Sequence, residues 1–339
     1  MTLMNEDGFA GFGEDFAVRG IQSILASDVL DDVRSAILAN AFNPDDGLDF
    51  FNKQMEELNK VMETNPKRFL DALKFVAQAI KEKVPSKINI HDSKYIGLMG
   101  EIFVRRDGFS HKWLNKTLAK KGFVTKNSYI SEWVFYVDYL LEKQLLEPEQ
   151  SLRNKLERKI RNTYMRRIEK KIKKILAKSG YYEYKGNHIA EIVENATHIL
   201  PLDYKGEPGI VLGATLTHGL SDYAGIINVG PFGCMPTRIT EAVTVPELNI
   251  DSKIKAMKNT KPNFQLSEIW NGAARIPFLT IETDGNVYPQ IVEAKLEAFL
   301  LQAERAAKLI KIAQMSKVEQ ISLHQNNGNS FEMKSIEKN

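Results

Sequence analysis

The sequence predicts an α/β fold: a parallel sheet with helices on both faces, preceded by a helical layer and interrupted by one long basic helix. Three observations predict it. Short apolar runs at residues 95–99, 123–125, 226–229 and 278–281 alternate with segments of helical spacing, the pattern of a covered parallel sheet. Residues 1–85 show helical periodicity alone, in "ILASDVLDDVRSAILANAF" and "PKRFLDALKFVAQAIKEKV", with Pro44, Pro66 and Pro85 at the joints. From Ser151 to Lys178, twelve Lys or Arg stand against two acids, and Leu152, Leu156, Ile160, Tyr164, Ile168, Ile172 and Ile175 recur every three or four residues.

The chain divides into a helical region at 1–90, an α/β domain at 91–314 with a helical insertion at 148–200, and a flexible tail at 315–339. In the α/β part, "KYIGLMGEIFV" opens with a strand, and "SHKWLNKTLAKKG" is a helix with Ser110 as N-cap and Gly122 at its end. "FVTKNSYI" reads as a short strand and "SEWVFYVDYLLEKQLL" as a helix started by Ser131. "GNHIAEIVENATHIL" and "EPGIVLGATLTHGL" read as helices, although the second also fits a strand. "YAGIINVG" and "RIPFLTIETDG" are strands. "YPQIVEAKLEAFLLQAERAAKLIKIA" is a long helix with Leu296, Phe299, Leu300, Ala303 and Ile310 facing inward, and the polar tail after Gln314 is expected to fray.

A length of 339 residues suggests two or three domains, and 43% hydrophobic residues suffices for their cores. Cys234 is the only cysteine, which rules out an internal disulfide and fits a reducing cytoplasm. The N-terminus has no basic flank before an apolar core, so it does not read as a signal peptide. No run approaches the roughly 20 apolar residues of a membrane span. A cytoplasmic protein is expected.

The net charge is +3, and the basic block alone holds +10, which leaves −7 for the rest. Such a block can meet a phosphate-rich partner, an anionic membrane surface or an acidic protein. As a docked helix with a solvated basic face it needs none of them. It has no interleaved aromatic residues and no Cys/His pattern, so nucleic-acid binding is not expected.

Chemistry concentrates after the strands. Gly100-Glu101, the "GPFGCMP" loop around Cys234, and Glu282-Thr283-Asp284-Gly285 all follow strands and open on one edge if those strands are parallel. Cys234 has two open readings. It is either a small buried hydrophobe or a thiolate ligand or nucleophile on a loop with free backbone N–H groups. His188, His198 and His218 lie upstream, and spacing puts none of them beside it as a base, which disfavours a cysteine hydrolase. One cysteine cannot make a thiolate-rich zinc site, nor an iron–sulfur cubane alone. Glu101 either caps the next helix or hydrogen-bonds a ligand, and Asp284-Gly285 is a turn signal. Arg105 and Arg106 are expected to point in different directions on a strand. There is no GxGxxG, Walker loop or HExxH.

"YIGLMGEIFVRRDGFSHKWL", "GIINVGPFGCMPTRI", "IPFLTIETDG" and "KLEAFLLQAER" resemble the C-terminal part of the 2-hydroxyacyl-CoA dehydratase superfamily, and in it the large CoA-enzyme activase-related proteins of anaerobes. The resemblance spans about residues 15–312, with "GPFGCMP" its most specific element. It implies flavodoxin-like α/β domains with a cysteine-ligated [4Fe–4S] cluster between them. A separate or fused ATPase activator drives low-potential electron transfer for acyl-CoA chemistry. By this resemblance Cys234 matches a cluster ligand, Gly230, Pro231, Phe232, Gly233, Met235 and Pro236 shape its loop, and Glu101 matches the glutamate of a "GE" motif. The family's other cluster cysteines lie in an upstream domain that has no counterpart in this sequence. The implied partners are therefore a missing cysteine-bearing domain or subunit and the ATPase activator, with an acidic partner possible for the helix at 151–178. The rival expectation is a non-catalytic interaction module that has lost the cluster.

Overall fold

The computed structural model describes residues 13–146, 152–186, 188–261, 275–284, 286 and 289–336; Gly285 of the expected turn and residues 148–151 of the expected insertion lie outside them. The chain begins with three helices, α1 (Gly13–Asn40), α2 (Pro44–Thr64) and α3 (Phe69–Lys83). Prolines set their starts. Pro44 occupies the first turn of α2, where the Asn43 side chain accepts the Asp46 N–H, and Pro66 opens a short 3-10 turn leading into α3. Leu25, Val29, Val33 and Ile37 of α1 are buried in one stripe against Phe51 and Leu58 of α2 and Leu73, Val76 and Ile80 of α3. Each such side chain contributes about 1.5–3 kcal/mol on leaving water.

The α/β part runs β1 (Lys94–Gly100), α4 (Ile102–Arg106), α5 (Leu114–Lys120), β2 (Phe123–Asn127), α6 (Ile130–Glu142), α7 (Leu152–Leu176), α8 (Ile189–Ala196), α9 (Glu207–His218), β3 (Gly225–Pro231), α10 (Met235–Thr244), α11 (Ile250–Thr260), β4 (Phe278–Thr283) and α12 (Gln290–Ile336). All four expected strands are present, and they form one parallel sheet in the order β2-β1-β3-β4. This is a flavodoxin-like α/β arrangement, with its topological switch between β1 and β3. Alternation along β1 separates two cores. Tyr95 joins α1, α3, α6 and α7 on one face, whereas Ile96 and Leu98 join Leu118 of α5 and Phe299 and Ala303 of α12 on the other.

Several expectations need correction. The run "FVTKNSYI" stops being a strand at Asn127, and α6 starts at Ile130. Its cap is not Ser131 but Asp28 of α1, whose carboxylate accepts the N–H groups of both Ile130 and Ser131 at 2.9 Å. Ser110 does not cap α5 either. Its N–H and hydroxyl are held by Asp107 in a local turn, and α5 begins after Trp113 in a left-handed conformation. Arg105 and Arg106 lie on the short helix α4, not on a strand, because Glu101 starts a helix as soon as β1 ends. The segment at 207–218 is a helix, and its strand-like composition has a cause: Pro208 through Thr217 are all buried, so no polar face remains to mark the period.

The basic helix α7 is continuous through its described span, but its apolar stripe is buried only over its C-terminal half. Ile168, Ile172, Ile175 and Leu176 are buried, whereas Leu156 and Ile160 are about 60% exposed. Its cations do not all face solvent: Lys173 is buried and paired with Glu169 at 2.7 Å. The expected frayed tail is also different, since α12 continues as helix to Ile336. No proline follows Pro289 to break it.

Candidate functional site

Because the sheet is parallel, β1, β3 and β4 end at one edge, and Glu101, Cys234 and Asp284 follow those ends. Gly100 makes the junction between β1 and β3 possible. Its φ is +103°, and a Cβ there would stand 2.1 Å from the Val229 carbonyl oxygen. The next N–H, that of Glu101, donates to that same Val229 oxygen at 2.9 Å. The Glu101 carboxylate accepts the Val104 N–H at 2.7 Å, so the geometry gives it the role of helix cap.

The two arginines of α4 diverge. Arg105 is buried and donates to the carbonyls of Gly100 and Ser128, pinning the end of β1 to the end of β2. Burial lowers its pKa, and one guanidinium nitrogen, Nη2, has no hydrogen-bond partner among the described residues. Arg106 turns to α1, where it pairs with Asp28 at 2.7 Å and Asp31 at 3.0 Å.

The cysteine loop is built by the last residues of β3. Gly230 lies beneath Thr237 of α10, Pro231 pairs with Thr283 of β4, and the Phe232 N–H donates to the Thr283 carbonyl at 2.9 Å. Gly233 takes a left-handed φ of +73°, which turns the chain so that Cys234 becomes the N-cap residue of α10. The Cys234 N–H donates to the Pro231 carbonyl at 3.1 Å, and the residue is half-buried. It is therefore not the fully buried apolar cysteine of the bland reading. Beside it Arg238 is neutralised by Glu282 through two contacts of 2.6 Å. Asp284 holds a local turn by accepting two bonds from Asn286 at 2.9 Å.

Around this loop the edge is apolar and open. Phe232 is 77% exposed and Phe103 67%, and Met235, Phe109 and Trp113 are exposed as well. The Thr283 hydroxyl donates to the Ser110 carbonyl at 2.8 Å, which ties the 107–113 turn to the end of β4 beside the cysteine loop. Exposed aromatics gathered on one edge mark a surface for another molecule more than scattered single ones do. His188, His198 and His218 do not come to Cys234. His218 is held by Asp222 at 2.9 Å beside the start of β3, and His198 is engaged at the backbone of Asn195. Among the described residues no group of three or more His, Cys, Asp or Glu could hold a metal ion. No helix among them is long and apolar enough to cross a membrane.

Sequence reasoning missed a second site. On the Tyr95 face of the sheet lies a cavity of about 580 Å³, floored by Tyr95, Met99, Lys126 and Asn127. Its walls come from α1, α6, α7, α8, α9, α11 and the 182–188 segment, so no local motif could announce it. The one signal was the acid triplet Asp28, Asp31 and Asp32 on α1, spaced to share a helix face. These carboxylates reach across to the sheet: Asp31 accepts the Asn127 side-chain N–H at 2.6 Å, and Asp32 accepts Lys126 at 2.8 Å and the Tyr129 hydroxyl. The helical layer thus reaches the cavity through Asp32 of α1.

No protein-family model matches the sequence, no curated protein matches it significantly, and no solved structure matches it significantly. The resemblance to the 2-hydroxyacyl-CoA dehydratases thus rests on the four quoted motifs alone.

Proposed function

We propose that this chain is one part of a two-part iron–sulfur protein of the dehydratase and activase kind, and that Cys234 is its ligand to a [4Fe–4S] cluster shared with a second polypeptide. One observation supports this above the others: Cys234 is half-exposed at the sheet's switch-point edge, amid exposed Phe103, Phe109, Trp113, Phe232 and Met235. An apolar rim of that kind suits a protein partner, and a thiol inside it suits a ligand held between two chains. The residues of this chain do not fit a cubane by themselves. They offer one cysteine, where a cubane takes four ligands that are mostly thiolates. The partner would supply the remaining ligands, and an ATPase activator the driving force. When bound, the cluster would supply low-potential electron transfer for acyl-CoA chemistry in the cytoplasm. Gly230, Pro231, Phe232 and Gly233 would fix the loop, and Glu101 would hold the neighbouring helix start. An acidic partner on α7 would sit over its N-terminal half, where Leu156 and Ile160 are exposed beside Lys155 and Lys159.

A second reading is an interaction module without a metal. It is favoured by the Arg238–Glu282 pair, which neutralises the cation beside Cys234, and by the exposed rim aromatics, whose Phe109 and Trp113 rings carry Lys112 and Lys116 over them. Anaerobic purification of the chain, alone and with a polypeptide encoded beside it, separates the two. The isolated chain should hold no stoichiometric cluster. The complex should contain iron and sulfide with an oxygen-sensitive EPR signal, both lost in Cys234→Ser while the complex stays assembled. A complex whose iron content and EPR signal ignore Cys234→Ser removes the ligand assignment and leaves the module.

A further inference from the structure

The cavity on the Tyr95 face is rich in charge, yet its charges are unevenly committed. Each lysine that lines it already has a carboxylate within 3 Å: Lys126 with Asp32 at 2.8 Å, Lys173 with Glu169 at 2.7 Å, Lys185 with Asp222 at 2.9 Å and Lys261 with Glu191 at 2.8 Å. An anionic ligand would have to compete with all four. The acceptors are different. Asp32 Oδ1 and Asn127 Oδ1 are buried with no hydrogen-bond partner among the described residues, although each side chain is otherwise engaged. The Glu132 carboxyl lines the cavity and has no ion-pair partner among the described residues; it is held only by a backbone hydrogen bond at Tyr129, with Arg105 and Lys173 acting on it through charge. Buried acceptors left unpaired are costly, and a ligand that supplies donors relieves that cost.

The aromatic lining has the same preference. Lys126 Nζ sits 4.9 Å from the Tyr182 ring centre and 5.5 Å from that of Tyr95, and Lys173 Nζ 5.1 Å from that of Tyr129. The cavity already stabilises cationic nitrogens over tyrosine faces. Its floor is shaped for close approach. Gly97 lacks the Cβ that would stand 2.9 Å from the Tyr223 ring, so that ring lies against β1. The Tyr223 hydroxyl has no hydrogen-bond partner among the described residues. A volume of about 580 Å³ is that of a small-molecule site.

We propose that this cavity is a binding site for a small organic cation, a molecule carrying a protonated amine or guanidinium group that pairs with Glu132 and donates to the free oxygens of Asp32 and Asn127. The site is independent of Cys234 and of the edge described above. It has a built-in pH dependence. Burial pushes Glu132 up to about 7, against the lowering influence of Arg105 from α4 and Lys173 from α7 and with the raising influence of Asp28 from α1. Tyr223 also faces it, with its own pKa raised by burial, so it remains neutral through this range. A cationic ligand therefore binds more tightly as pH rises through 7 and the carboxylate forms.

Calorimetric titration of the full chain with putrescine, spermidine and agmatine tests this, with glutarate and inorganic phosphate as anionic counterparts. At least one cation should bind with a sub-millimolar Kd, and the anions should not. Affinity should increase between about pH 6 and pH 8, and Glu132→Gln should weaken binding by about tenfold or more and flatten that increase, as loss of a charged hydrogen bond does. Circular dichroism of Glu132→Gln establishes that the variant is folded, and Lys60→Ala, on the exposed face of α2 and not part of the cavity lining, should leave the cation's affinity unchanged. If none of the three cations binds at millimolar concentration, if an anion binds as tightly, or if folded Glu132→Gln binds as the parent does, the proposal is overturned.

Discussion

The edge around Cys234 and the cavity over Tyr95 are built on opposite plans. At the edge, Glu101 caps its own helix and Asp284 its own turn, and the one longer link, Arg238 of α10 to Glu282 of β4, neutralises itself. What remains exposed is chiefly aromatic, with Lys112 and Lys116 over the Phe109 and Trp113 rings. In the cavity, polar groups join separate elements, α1 to β2 and α7 to the 185 region, beside the local His218–Asp222 pair, and what remains open is acidic. The first plan suits a large, flat partner and tolerates change in its side chains. The second suits a small ligand and couples the cavity to the stability of the whole fold.

The largest effect should therefore come from the long-range network, at Asp28. Its carboxylate is buried, pairs with Arg106 and caps α6 through two backbone N–H groups. Burial raises its pKa and these partners oppose the rise. Asp28→Ala would leave Arg106 half-paired and two helix-start donors without an acceptor, a loss of about 3–5 kcal/mol. Urea denaturation measures it. A loss under about 1 kcal/mol would mean that the helical layer is only loosely joined to the sheet.

A middle-sized effect should appear as a pH dependence. Lys253 of α11 is buried beneath the cavity wall, and its ammonium nitrogen donates to the Leu216 and Thr217 carbonyls at 2.8 and 3.0 Å, in the last turn of α9. Burial lowers its pKa from 10.5 to about 7. The folded state then binds fewer protons than the unfolded state between about pH 7 and pH 10.5, so this lysine makes stability rise with pH across that window. Lys253→Met should abolish that rise. It should also cost about 1–3 kcal/mol at the upper end, because two buried carbonyls lose their donor. A denaturation midpoint that responds to pH identically in both proteins would show that Lys253 stays charged, as a cation capping the helix C-terminus.

The same contrast explains what could be read in advance. Four strands were legible because each is a short apolar run between helices, and their parallel order brought Glu101, Cys234 and Asp284 to one edge. The cysteine loop was legible because its Gly, Pro and Cys are contiguous. The cavity was not, since Asp32, Lys126, Glu132, Tyr182 and His218 are far apart in sequence and only the folded chain brings them together. The starts of α5 and α6 were misplaced for a related reason: Ser110 and Ser131 carry the right side chains, but Asp107 and Asp28 supply the bonds. In α7 the heptad-like stripe was visible, yet the pattern could not reveal where the packing partner ends.

The smallest expected effect is at the most conspicuous residue. Cys234 lies on a loop, is half-buried, and makes no side-chain cap bond to α10. Its backbone contacts, to the Pro231 carbonyl and from the Arg238 N–H, survive a change of side chain. Cys234→Ala removes only a small, partly exposed sulfur, so stability should change by no more than about 0.5 kcal/mol. Phe232→Ser beside it should be similarly mild in the isolated chain, because most of that ring contacts solvent. Both substitutions should matter only when a partner covers the edge, where an aromatic anchor and a ligating thiol would each be buried. Chemical denaturation of the two variants, alone and in the complex, reads this directly. A loss of more than about 1 kcal/mol in the isolated chain would make the loop a structural element of the fold and end the contrast between a tolerant edge and a coupled cavity.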